Sequence, residues 1–300
     1  MPLTAAFLFP VGVALFPVAL TAGLDRFVRM IVGSPENGRS PFTVDLARPP
    51  GYSVQRTVDR LQTDFAVNIA MAFAVPVWFF AMWLMHERLG FASPERYEML
   101  MYPLAGGVSA TWFIIQALRF SFLLKRARLT LYGKMAAGQE LDQLMRAGAR
   151  VFHDLPGDGF NIDHVIVCPA GVFCIETETR EKPQHGRSVE DATAIYDGRA
   201  VSYPDGTEDE SVRHARDRAR WLSDWLVQST GEVTPVQAVL ALPRWVIDRR
   251  GQGEVLVINP REAPRLLGRL RQLSDEHMER VAFRLEGLGR GRRVGAAATQ

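Results

Sequence analysis

The sequence predicts an α-helical membrane anchor followed by an α/β domain with a mixed sheet. Three observations lead there. Lys, Arg, Asp and Glu are sparse up to Arg119 and dense from Lys125 onward. The charge-poor part holds three apolar runs, at residues 3–24, 65–85 and 99–118. The charge-rich part alternates short apolar runs with amphipathic ones, the pattern of strands and helices packed in layers.

Each apolar run is about 20 residues long, the length of helix that crosses about 30 Å of hydrocarbon. The first carries no charge, and only Thr4, Thr21 and glycines interrupt it. The second contains Asn68, and the third Ser109, Thr111 and Gln116. Pro10, Pro17, Pro76 and Pro103 are compatible with spans whose neighbours satisfy the freed carbonyls. Gly106 and Ala110 have the small-xxx-small spacing of close helix approach. The first run has no basic stretch before it and no small-residue cleavage site after it, so a retained span is expected. Between the first two runs lie Arg26, Arg29, Arg39, Arg48, Arg56 and Arg60; between the second and third, only Arg88 and Arg96. Arg119, Lys125, Arg126 and Arg128 follow the third. This bias puts the N-terminus outside and the charged half in the cytoplasm, as in a multi-pass protein of a bacterial inner membrane. Membrane lipid is then a partner, and the facing bases meet its anionic groups. Residues 25–64 contain Pro35, Pro41, Pro49 and Pro50 and are expected to be mostly irregular. The organisation expected is an anchor region over 1–124, a domain over 129–275, and a Gly/Arg-rich tail over 287–300 expected to be disordered.

Within the domain, residues 138–150 read as a helix with Leu141 and Leu144 on one face, and 149–153 as a first short strand. Residues 156–160 form a loop by their Gly and Pro. Residues 162–168 and 172–179 flank Pro169, Ala170 and Gly171 as a β-hairpin. A short strand at 201–203 precedes an amphipathic helix over 212–228, with Trp221, Leu222 and Trp225 as its apolar stripe. Strands at 236–242 and 254–258 and a last helix at 263–273 complete the pattern.

A net charge of +2 does not by itself argue for nucleic acid. Cys168 and Cys174 form neither a disulfide framework nor a CxxC metal site, and read as buried apolar residues. No phosphate-binding loop, dinucleotide fingerprint, HExxH or GxSxG is present. The chemistry lies in acids of the hairpin. Asp163 opens one strand, and Glu176 and Glu178 lie near the end of the other. Carboxylates on adjacent strands can converge on a hard divalent cation, Mg²⁺ or Mn²⁺, and Glu140 could add a further oxygen. Side chains alternate along a strand, so Asp163 joins Glu176 and Glu178 only if it pairs with one of them. A link made by Cys168, Pro169, Ala170 and Gly171 gives that register; a regular three-residue loop sets Asp163 against Thr177.

The stretch from Gly138-Gln139-Glu140 through Asn161-Ile162-Asp163-His164-Val165 to Gly171-Val172-Phe173 and Ile175-Glu176-Thr177 resembles the nuclease-related domain (NERD) family. That family belongs to the restriction-endonuclease-like superfamily, whose signature is an Asp followed by Glu-x-Lys on the next strand. The resemblance implies that fold, a metal-dependent nuclease acting on DNA or RNA, and Glu140, Asp163 and Glu176 as metal-site positions. It places the family lysine at position 178, where this chain has Glu178, and a frequent glutamine near Arg213, where it has His214. Some nucleases of the superfamily carry Glu at the lysine position and stay active; others have lost catalysis and bind. Asp163, Glu176 and Glu178 are therefore the catalytic candidates. Lys182, Arg213 and His214 are the residues expected to supply a missing cation or touch nucleic acid. Two functions stay open: a membrane-tethered nuclease, or a non-catalytic module that recruits nucleic acid or a protein to the membrane.

Overall fold

The computed structural model describes Gly23 and residues 48–89, 96–181, 193–267 and 272–295. The chain divides into two units, Met1–Thr43 with Thr57–Ala127, and Val44–Arg56 with Arg128–Gln300.

The first unit is helical in its described part. Helix α1 runs over Tyr52–Leu89 and α2 over Arg96–Asp142. Both are long and apolar enough to cross a membrane, over Tyr52–Met85 and Leu100–Ala147. Of the expected span at 3–24 only Gly23 is among the described residues. Phe73, Phe80, Leu104, Trp112 and Phe122 are all more than half exposed, a surface that suits lipid better than water. A Cβ on Gly106 would come within 3.6 Å of the Pro76 backbone, so the small residue does sit at a close helix approach. The expectation of irregular chain through residue 64 needs correction. Pro49 and Pro50 introduce a helix rather than exclude one: the Gln55 N–H donates to Gly51 O at 2.8 Å, and no Pro or Gly follows until Pro76.

In the second unit, α2 ends at Asp142 and a 3₁₀ turn follows over Gln143–Ala147. Gly148, at φ +86°, halts it, so the helix expected through residue 150 stops earlier and Arg150 already begins a strand. Strands β1 (Arg150–Pro156), β2 (Asn161–Cys168) and β3 (Gly171–Thr177) form an antiparallel meander. Strands β4 (Thr193–Tyr196), β5 (Val201–Tyr203) and β6 (Gly206–Glu208) follow. Helix α3 (Glu210–Thr230) then crosses to β7 (Val236–Ala241), parallel to β3. β8 (Val246–Arg249) and β9 (Val255–Ile258) complete two sheets, ordered β1-β2-β3-β7-β9 and β6-β5-β4-β8. The first is mixed, since β7 and β9 are parallel.

Two apolar layers cover the larger sheet. On one face Val165, Val167, Val172 and Cys174 pack against Val212, Ala215, Ala219, Leu222 and Leu226 of α3. These α3 residues form the buried stripe; Trp221 and Trp225 flank it, half-buried. On the other face Ile166, Cys168, Phe173 and Ile175 pack with Leu141 and Leu144. Beyond β9 the expected helix at 263–273 is a single turn, Pro264–Leu267, with residues 268–271 outside the described set. The last helix, α4, spans Asp275–Gly295 and runs through the stretch expected to be disordered from residue 287. Its buried Met278, Val281 and Leu285 anchor it to the sheet, and packing outweighs the poor helix propensity of Gly287 and Gly289.

Candidate functional site

Strands β2 and β3 are joined by Pro169 and Ala170 alone, with Cys168 paired to Gly171. Gly171 adopts φ +132°, which favours glycine at the hairpin's exit. The last rung pairs His164 with Ile175 and so sets Asp163 against Glu176 one step beyond. Both share the alternation of Val165 and Cys174, whose face is covered by α3.

Asp163 is buried, and both carboxylate oxygens have donors. Oδ1 accepts from Lys134 Nζ at 2.6 Å and Oδ2 from the Thr177 N–H at 2.9 Å. Lys134 comes from α2, preceded by Gly133. A Cβ at 133 would fall 1.8 Å from Thr179 Oγ1, so only glycine lets the helix pass this close to the end of the hairpin. Glu176 forms an ion pair with Arg218 of α3. The Arg218 guanidinium also lies 5.7 Å from the centre of the Phe160 ring, a cation–π contact. Glu178 continues beyond β3, its N–H donating to Ala241 O at 3.0 Å. Its carboxylate meets Ser211 Oγ at 3.2 Å, and Ser211 Oγ also meets Glu208 at 2.7 Å. One hydroxyl proton cannot serve both acids. Burial, and then the nearby Glu208 charge, push the Glu178 carboxyl above its ordinary range. A protonated Glu178 can donate to Ser211, which donates on to Glu208.

Two further polar groups border this cluster. Asp154 of β1 is buried at φ +50°, in the left-handed region that costs a non-glycine residue strain. Ser53 donates to its carboxylate, and Arg48 NH1 donates to its carbonyl at 3.1 Å. On the opposite face a chain of contacts runs inward from Asp142. Asp142 Oδ1 lies 2.8 Å from His153 Nε2, and His153 Nδ1 lies 2.8 Å from His164 Nδ1. Burial, then the His153 charge, hold the His164 imidazole well below its usual value, so it is neutral.

The structure brings Asp163, Glu176 and Glu178 to one end of the hairpin. Glu140 is elsewhere, 3.3 Å from Arg261 Nε. Arg213 pairs with Asp209 at 3.0 Å and His214 with Glu210 at 3.8 Å, both exposed on α3. Lys182 lies outside the described residues. Among the described residues, no group of three or more His, Cys, Asp or Glu is arranged to hold a metal ion. Among the described residues the cations paired with Asp163 and Glu176 are Lys134, which the sequence did not single out, and Arg218, which the sequence shows only as one of four arginines on a helix face expected to be mostly solvated. Arg218 had a visible signal: it is four residues before Leu222, on the inner edge of an amphipathic helix. Lys134 had a weaker one, as one of only three lysines in the chain.

Residues 130–243 match the family model of the nuclease-related domain. No curated protein and no solved structure matches the chain.

Proposed function

We propose that this chain, whose residues 130–243 are a nuclease-related domain, is a membrane-anchored phosphodiesterase acting on DNA or RNA. The observation that carries the reading is the Lys134 ammonium, 2.6 Å from Asp163. Glu178 stands where the family places its lysine, and Lys134 brings a cation to the same acids from the preceding helix. A cation fixed in a largely buried site stabilises charge on a scissile phosphate far better than a solvated one.

Lys134 and Arg218 are the groups that would bind the phosphate oxygens. Glu178, its proton held more tightly by burial, suits transfer to or from the attacking water through Ser211 and Glu208. Asp163 and Glu176 are hard oxygen donors from adjacent strands, so their chemistry fits Mg²⁺ or Mn²⁺; Glu140, paired with Arg261, does not join them. When bound, such an ion would add positive charge at the phosphate and lower the pKa of its water. The anchor is the pair of apolar helices, α1 and α2. Their flanking arginines favour a cytoplasmic catalytic domain in a bacterial inner membrane.

One observation supports a non-catalytic binding module instead. Asp163 and Glu176 each already have a cationic partner, leaving the acids charge-balanced without metal. Purified full-length chain with labelled DNA and RNA, in Mg²⁺, in Mn²⁺ and with chelator, separates the two. A nuclease cleaves with metal, stops with chelator, and is inactivated by Asp163→Ala or Glu176→Ala. Binding without cleavage in every metal would reject the nuclease reading.

A further inference from the structure

A crevice of about 390 Å³ opens at the carboxyl ends of β7 and β9, lined by Glu140, Arg244, Trp245, Asn259 and Arg261 among others. The two strands run parallel and end level, with Ala241 paired to Ile258. Ligands of open α/β sheets gather outside such strand ends. We propose that this crevice is an anion site, separate from the hairpin acids, in which Arg244 and Arg261 take a phosphate group and Glu140 acts as its latch. The inference does not depend on the nuclease reading.

Arg244 carries the argument. It adopts φ +71°, one of two non-glycine residues among those described with positive φ. Glycine would take that conformation without strain, yet the position holds an exposed arginine. Among the described residues its side chain has no hydrogen-bond or ion-pair partner. Arg261, in contrast, is held 3.3 Å from Glu140 Oε1 while 81% exposed. An ion pair so open to water is easily exchanged for a stronger anion. Asn259 fixes both arginine-bearing turns, with its Nδ2 donating to Trp245 O at 2.8 Å and its Oδ1 accepting from Arg261 N–H at 3.2 Å. The charged residues of the lining are Arg244, Arg261 and Glu140, so the crevice is one charge positive and becomes more so when the latch opens. Planar guanidinium forks match phosphate oxygens two at a time.

The test is titration of the full-length chain in detergent with inorganic phosphate, a nucleoside monophosphate and a labelled single-stranded oligonucleotide. Arg244→Gly and Arg261→Gln should each weaken binding roughly tenfold or more, the weight of one charge-assisted hydrogen bond. Glu140→Gln should tighten it, because the competing carboxylate is gone. Arg244→Gly should melt no lower than the parent, since glycine relieves the strained backbone; should it melt lower, Arg261→Gln decides. Affinity that grows from phosphate to oligonucleotide identifies a nucleic-acid backbone as the source. Equal affinity for all three identifies a free phosphate. Binding that is absent for all three probes, or unchanged in both arginine variants, or not tightened by Glu140→Gln, overturns the proposal.

Discussion

Lys134 and Asp163 are 29 positions apart, and their contact depends on where a helix crosses a strand end. Lys134→Met should therefore do two things. It strands a buried carboxylate, which costs about 3–5 kcal/mol when a buried pair loses one partner. It should also slow any cleavage by roughly 10²–10³, the usual weight of one preorganised charge at a transition state. Pairing it with Asp163→Asn should recover thermal stability without recovering activity, as read by melting and cleavage side by side. Glu178 supplies a pH test. Its carboxyl is raised by burial, so as a base it gains its working form only as pH climbs through that raised value. The acid limb of cleavage should sit above the ordinary carboxylate range of about 4.3 and vanish in Glu178→Gln. Stability has its own sign. The protonated side chain favours the fold fully below the unfolded carboxyl value, and that contribution is lost as pH rises through the folded one. Glu178→Gln should accordingly melt above the parent at neutral pH and lose that advantage in acid. Asp163 and Glu176 were legible as candidates from strand alternation, but their shared face was open between two loop lengths until the two-residue link fixed the register. Lys134 was not, because no local pattern encodes which strand end a helix passes.

Helix α2 approaches that strand end only because of its glycines. Besides Gly133, a Cβ at Gly138 would lie 2.3 Å from the Pro50 ring. Gly133→Ala should force the helix off Thr179 and draw Lys134 from Asp163, lowering both the melting temperature and cleavage, although alanine is the better helix former. On α3, Leu222 is fully buried between sheet and helix, and Leu222→Ala should cost about 2–5 kcal/mol, measurable by denaturant unfolding. Six of the nine described strands and α3 were legible from their periodicity, to within a residue or two at most ends; β4, β6 and β8, each of three or four residues, are too short to show a period and were not expected. Three boundaries were not. Residues 52–64 look loop-like only through the prolines before them, and residues 287–295 look disordered only through their Gly and Arg. In the second case the helix depends on Val281 and Leu285 meeting the sheet, which composition does not report. The third is the stop at Gly148, where one left-handed residue separates helix from strand.

For the whole molecule, composition alone separates the charge-poor from the charge-rich half, and α1 and α2 carry the apolar stretch where it was expected. The arginine asymmetry predicts that reporters fused after Lys134 read cytoplasmic and those near residue 90 read external. A cytoplasmic signal near residue 90 would contradict it. The two thiols bear on how that can be mapped. Cys168 and Cys174 lie on opposite faces of one sheet, both essentially inaccessible. Burial also raises the pKa of both, so each stays a thiol rather than the reactive thiolate. The native chain is thus already a silent background for maleimide chemistry. A single cysteine placed at residue 90 or on an exposed helix turn would be the one position that a membrane-impermeant reagent labels, with no native cysteine removed and the core left intact.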